Sequence, residues 1–242
     1  MTRDLAAPGE SRRLVEYAHA RLREGIITNR IPANSSISQV KLADELGVSR
    51  TPLREALRLL QHEGLAKVEA NKRVTISQVD PADLDALYAM RIQQESLAVF
   101  HATKQVSDQD RHRSERDLEM MFQAIQDDDI DAWSVAHRRF HLSMAQGLHA
   151  RYDTSISRHF DHAERYRHIY LTDSDVNWSQ SSRDHSAIFE SFSAGDAARV
   201  AEQVAEHYGR TATSVMRSID PDYKPALVPS AINMALSLRF IS

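Results

Sequence analysis

The 242-residue sequence contains no cysteine. That absence excludes disulfides, thiolate metal ligands and cysteine nucleophiles, and leaves histidine and carboxylates as the strong candidate ligands. Glycine and proline are scarce, at 7 each, in a chain rich in Ala, Leu, Arg and Glu, a balance that favours helices. No apolar run approaches the roughly 18 residues of a membrane span, and the opening stretch MTRDLAAPGESRR lacks the apolar segment of a secretory signal. A cytoplasmic protein with no membrane partner is expected. Also missing is H-E-x-x-H: in HRRFH, residues 137–141, Arg138 stands where a metalloprotease needs its glutamate, which excludes that enzyme.

What is present is unevenly distributed. Residues 1–76 carry 13 Lys+Arg against 9 Asp+Glu, whereas residues 77–242 carry 17 against 25, so a basic module precedes an acidic one. A small positive balance is weak by itself as a sign of nucleic-acid binding; the placement of the cations decides.

In the first module, Leu14, Ala18, Leu22 and Ile26 recur at helical spacing. Val40, Leu42, Ala43 and Leu46 suggest a short helix closed by Gly47. Ser49 or Thr51 can cap the next, with Pro52 tolerated in its first turn and Leu53, Leu57 and Leu60 on its buried face. Two short helices joined at Gly47 read as helix-turn-helix. The second presents Ser49, Arg50, Thr51 and Arg54 near its N-terminus, with Arg58 a turn further, where guanidinium groups reach guanine edges and Thr51 and the first amides suit a phosphate. Val68, Val74 and Ile76 then flank a polar turn, ANKR, as a small hairpin that would carry Lys72 and Arg73 to phosphate or the minor groove.

The stretch GVSRTPLREALRLLQHEGL resembles the winged helix-turn-helix signature of GntR-family bacterial transcription regulators, across roughly residues 11–78. Asn34 and Asn71 stand where that family has glycine; asparagine is the non-glycine residue that best tolerates the left-handed conformation.

From Asp80 onward the pattern gives six helices with short connections, a bundle. The closing segment 221–242, with three prolines before an apolar stretch, is left unassigned. Histidines fall on inward faces of three of these helices: His137 with Trp133, Phe140, Met144 and Leu148, bordered by His141; His185 with Ile188, Phe189 and Phe192; His207 with Val200, Val204 and Thr211. His101, His112, His149, His159 and His162 lie nearer helix ends or on charged faces and read as solvated. One inward histidine is ordinarily a hydrogen-bonded core residue. Four converging ones would each need a separate partner unless they share a divalent ion, and neutral imidazole suits zinc, nickel, copper or iron.

The helical module resembles the FCD ligand-binding domain of the FadR/VanR branch of GntR regulators. The resemblance implies a mainly α protein: residues 1–78 a winged helix-turn-helix, residues 79–220 an FCD-type effector and metal domain. It implies His141, His185 and His207 as metal ligands, with His137 standing where the family has Asp, and zinc or nickel as the expected ion. Arg91 follows Leu84 and Leu87 on an inner face; it is either a buried partner of Glu95 or a bidentate clamp for a carboxylate effector, and both roles are compatible. A homodimeric repressor on an inverted-repeat operator of double-stranded DNA, answering to a small organic acid, is the function implied. A metal-dependent hydrolase, with Asp184 as its base, and a purely structural helical domain are the alternatives; the latter leaves the SRTPLREAL helix unexplained.

Overall fold

The computed structural model describes residues 8–69, 73–78, 80–173 and 178–240. The chain divides into two compact units, residues 1–79 and 80–242. In the first, helix α1 (Pro8–Ile27) buries Ala18, Leu22 and Ile26. Helix α2 (Gln39–Leu46) starts at Ser38, whose hydroxyl accepts the Val40 amide, and ends at Gly47 with φ 64°, a left-handed cap that glycine adopts without strain. Helix α3 (Arg50–His62) buries Leu53, Ala56, Leu57 and Leu60, a three-and-four spacing that holds one face on α1 and leaves the other to water. Strands β1 (Ser36–Ser38), β2 (Ala66–Val68) and β3 (Arg73–Ile76) form an antiparallel sheet in the order β1-β3-β2, with Val74 facing Ile37 on one side and Val68 on the other. The β2–β3 hairpin is the expected wing. Strand β1 was not expected; Asn34, at φ 62°, turns the chain into it.

The second unit is helical: α4 (Pro81–Thr103), α5 (Asp108–Gln126), α6 (Ile130–Ala145), α7 (Ala150–Asp173), α8 (Trp178–Ala194), α9 (Ala197–Ile219) and α10 (Leu227–Leu236), followed by a 3-10 turn at Ser237–Phe240. Asp80 caps α4 through the Ala82 amide, and Ser107 and Asp110 form a reciprocal capping box on α5. Helices α4 and α9 pack along each other, and α10 lies against both. Helix α6 ends at Ala145, so Leu148 falls outside the inward stripe and is exposed. Among the described residues no helix is long and apolar enough to cross a membrane.

The unassigned C-terminal segment thus supplies a helix of the second unit. Buried Asp85 of α4 accepts the amides of Ala226, Leu227 and Val228 at 2.9–3.0 Å, satisfying the start of α10 from another helix, as a side-chain cap does locally. Pro229 sits in the first turn, where its missing N–H costs nothing. Ile232 fills the space over Gly209 of α9, where a Cβ would come within 2.5 Å of its terminal methyl.

Candidate functional site

Of the expected DNA-binding side chains, those at the start of α3 and along it lie on one exposed face. Ser49 is the N-cap of α3 and its hydroxyl makes no capping bond; Arg50, Thr51, Arg54 and Arg58 follow on the solvent side, Arg58 paired with Glu55 at 2.8 Å. Pro52 and Leu53 turn inward, so the packed face orients the arginines outward. Arg73 opens β3, and its guanidinium is engaged with the hydroxyl and carbonyl of Ser36 on β1, both at 2.8 Å. It braces the sheet rather than extending from the wing. Lys72 lies outside the described residues.

In the helical unit the four inward histidines meet. One ring nitrogen from each of His137, His141, His185 and His207 lies within 4.8 Å of all the others, and all four side chains are buried. The Nε2 atoms of His141 and His185 are 3.1 Å apart. His137, His185 and His207 line a cavity of about 130 Å³ with Tyr88, Arg91, Trp133, Glu164 and Arg167, and His141 lies behind them. Of the histidines expected to be solvated, His101, His112 and His149 are exposed, while His159 and His162 are half-buried.

Hydrogen bonding assigns the outward nitrogens. His185 Nδ1 donates to the Ser181 carbonyl at 2.7 Å, and His207 Nδ1 is 3.3 Å from the Asp184 carboxylate, which leaves each Nε2 as a lone pair turned towards the cluster. Burial, reinforced by neighbouring cations, pushes His137, His141 and His185 well below the ordinary histidine range; His207 is lowered less, since Asp184 opposes the effect of burial. All four are therefore neutral imidazoles, the form that binds a metal. Among the described residues His137 Nδ1 has no hydrogen-bond partner, and it sits 3.7 Å from Glu164. Neutral nitrogen donors, the outward atoms of His185 and His207 already occupied and the orphaned nitrogen of His137 fit a single divalent ion.

Arginines frame this cavity, each tied to a carboxylate. Arg91 binds Glu95 through Nε at 2.7 Å, Glu95 also accepts the Tyr208 hydroxyl at 2.6 Å, and the guanidinium lies over Phe160 and Tyr208. Burial would lower the Arg91 pKa, but Glu95 outweighs it and the group stays charged. Arg167 binds Glu164 through Nε and Nη2, and Arg210 reaches Asp184 at 3.0 Å. Burial works to raise the Asp184 pKa, yet the His207, Gln180 and Arg210 contacts hold it well below the usual carboxylate range.

Comparison with known proteins matches residues 14–76 to the bacterial regulatory proteins of the gntR family and residues 86–210, more than half of the chain, to the FCD domain. The chain belongs to the GntR family, with an FCD domain. It is a DNA-binding transcriptional regulator and not an enzyme. The regulator encoded in the TAR-I ttuE-ttuC' intergenic region of Agrobacterium vitis is 32% identical over 135 residues, spanning 54% of this chain and 78% of that protein. The gluconate operon transcriptional repressor of Bacillus licheniformis is 29% identical over 131 residues, 54% of each. In fold, the Escherichia coli McbR/YncC structure superposes with a TM-score of 0.77 at 19% identity, covering 86% of this chain and 99% of that one.

For this GntR-family regulator, sequence reasoning missed Glu164 and Arg167. The string ERYRH on α7 reads as a solvated charged face, but both side chains are buried because each neutralises the other. Asp184, the base a hydrolase would have required, is instead held by His207 and Arg210.

Proposed function

We propose that the chain is a homodimeric repressor acting in the cytoplasm, and that its helical domain binds a small organic acid beside a divalent ion held by His137, His141, His185 and His207. The observation carrying this reading is the convergence of four buried, neutral imidazoles, three of which line a cavity. When bound, the ion, zinc or nickel by donor type, supplies a Lewis-acidic position for an effector oxygen. Arg91 lines the same cavity and takes another oxygen of the effector, while Glu95 and Tyr208 keep its guanidinium in place.

Two α3 helices in a dimer occupy successive major-groove faces about 34 Å apart, with Arg50, Arg54 and Arg58 at base edges and Ser49 and Thr51 at phosphates, hence an inverted-repeat operator. Lys72 adds a phosphate contact, and Arg73 acts indirectly, bracing the sheet against Ser36. Effector binding shifts the DNA-competent arrangement by no more than its difference in affinity for the two states. Elemental mass spectrometry of purified protein tests the metal: about one ion per chain is expected, falling at least about tenfold in His185→Ala, and unchanged content in that variant would refute its role as ligand.

A further inference from the structure

Beside His137, the cavity wall carries two donors that no described residue uses. Arg167 and Trp133 are both at least nine-tenths buried, and among the described residues neither Arg167 Nη1 nor Trp133 Nε1 has a hydrogen-bond partner. They belong to one place: the guanidinium carbon of Arg167 lies 4.4 Å over the Trp133 ring, and Trp133 in turn stacks on His137 with centroids 4.4 Å apart. These N–H groups are held by the stacked geometry and cannot turn away as a hydroxyl can. Glu164 occupies only the Nε and Nη2 side of the guanidinium, leaving Nη1 for a second acceptor. Leaving such donors buried and empty is costly, so they mark a place for a ligand's acceptor group.

Charge points the same way. Arg91 with Glu95, Arg167 with Glu164 and Arg210 with Asp184 cancel pairwise around the cavity, and four neutral imidazoles add nothing. A divalent ion there would keep both of its charges, and one carboxylate would balance only half of them.

We propose that Arg167 and Trp133 form a second anion subsite, so that the effector is a small dianionic organic acid with one acidic group at the histidine cluster and the other at Arg167 Nη1 and Trp133 Nε1. This rests on the metal and organic-acid reading above and narrows it. The cavity has room for several water molecules, which suits an acid of a few carbons.

The test is calorimetric titration of zinc-loaded, full-length protein with α,ω-dicarboxylates from malonate to adipate and with monocarboxylates from acetate to hexanoate. At least one dicarboxylate should bind about tenfold or more tightly than its matched monocarboxylate. Trp133→Phe keeps the stacked ring and removes the N–H; the double variant Glu164→Gln with Arg167→Gln removes the ion pair without stranding a buried charge. In both, the dicarboxylate advantage should shrink severalfold while zinc content and monocarboxylate affinity hold. Trp133→Phe alone decides the matter if the double variant does not fold. Equal binding of both acid classes by zinc-loaded protein, or an advantage surviving Trp133→Phe, overturns the subsite and leaves the metal reading standing. Protein that holds no zinc and binds neither class overturns both.

Discussion

Arg50 and Arg54 on helix α3 are exposed and carry no ion pair among the described residues, whereas Arg91 and Arg167, buried at the cavity, are each held by a carboxylate. On the proposed function, the difference follows from where each ligand comes from. A polyanion approaches from water and is bound by displacing counterions, so the cations that meet it stay solvated and mobile. A buried cavity must cancel its own charges before any ligand arrives, because an unpaired ion in low dielectric is too costly to keep. One residue type thus works by exposure in the first unit and by pre-organisation in the second.

The largest test of that contrast is Arg54→Ala. Removal of an exposed guanidinium should weaken operator binding by about 1–3 kcal/mol and relax base preference, with metal content unchanged; footprinting across a salt series reads both, and a normal footprint would remove Arg54 from the interface. Breaking a pre-organised contact in the other unit should appear in stability instead. Asp85→Asn gives up one of two carboxylate oxygens that together accept three amides, and should lower the stability of the helical unit by about 1–3 kcal/mol in denaturant titration, with DNA affinity unaffected at low temperature.

Acid should separate the units further. The buried histidines have folded-state pKa values below the ordinary 6.5, so the unfolded chain binds more protons as pH falls through that value; their stabilisation is complete above it and drains away below it. The metal-free helical unit should therefore lose thermal stability from about pH 6.5 downward, while the first unit, which has no buried histidine among its described residues, should change little. Differential scanning calorimetry at pH 7.5 and 5.5 reads the two transitions. Smallest is Gly47→Ala: alanine at φ 64° should cost the first unit about 1 kcal/mol.

How far the molecule could be read in advance depended on whether burial followed from local pattern. Leu53, Leu57 and Leu60 announce their helix by spacing, Gly47 its end, and the inward histidines their convergence, because each sits in an apolar stripe. Strand β1 did not announce itself: Ser-Ile-Ser offers one apolar residue and takes its place only by pairing with Val74. Glu164 and Arg167 look solvated because a mutual ion pair leaves no trace in hydropathy. The C-terminal prolines suggested irregular chain, yet α10 exists through a carboxylate some 140 residues away.

That last contact has a practical consequence for anyone shortening the chain. The matched FCD region stops at residue 210, an inviting place to trim. A cut there would sever α9 before its end at Ile219, discard α10, leave the Asp85 carboxylate without the three amides it accepts and uncover Gly209, the neighbour of Tyr208 on the helix that carries His207. Poor behaviour of such a fragment would reflect the broken α9 and the roof it has lost rather than any property of the histidine cluster itself.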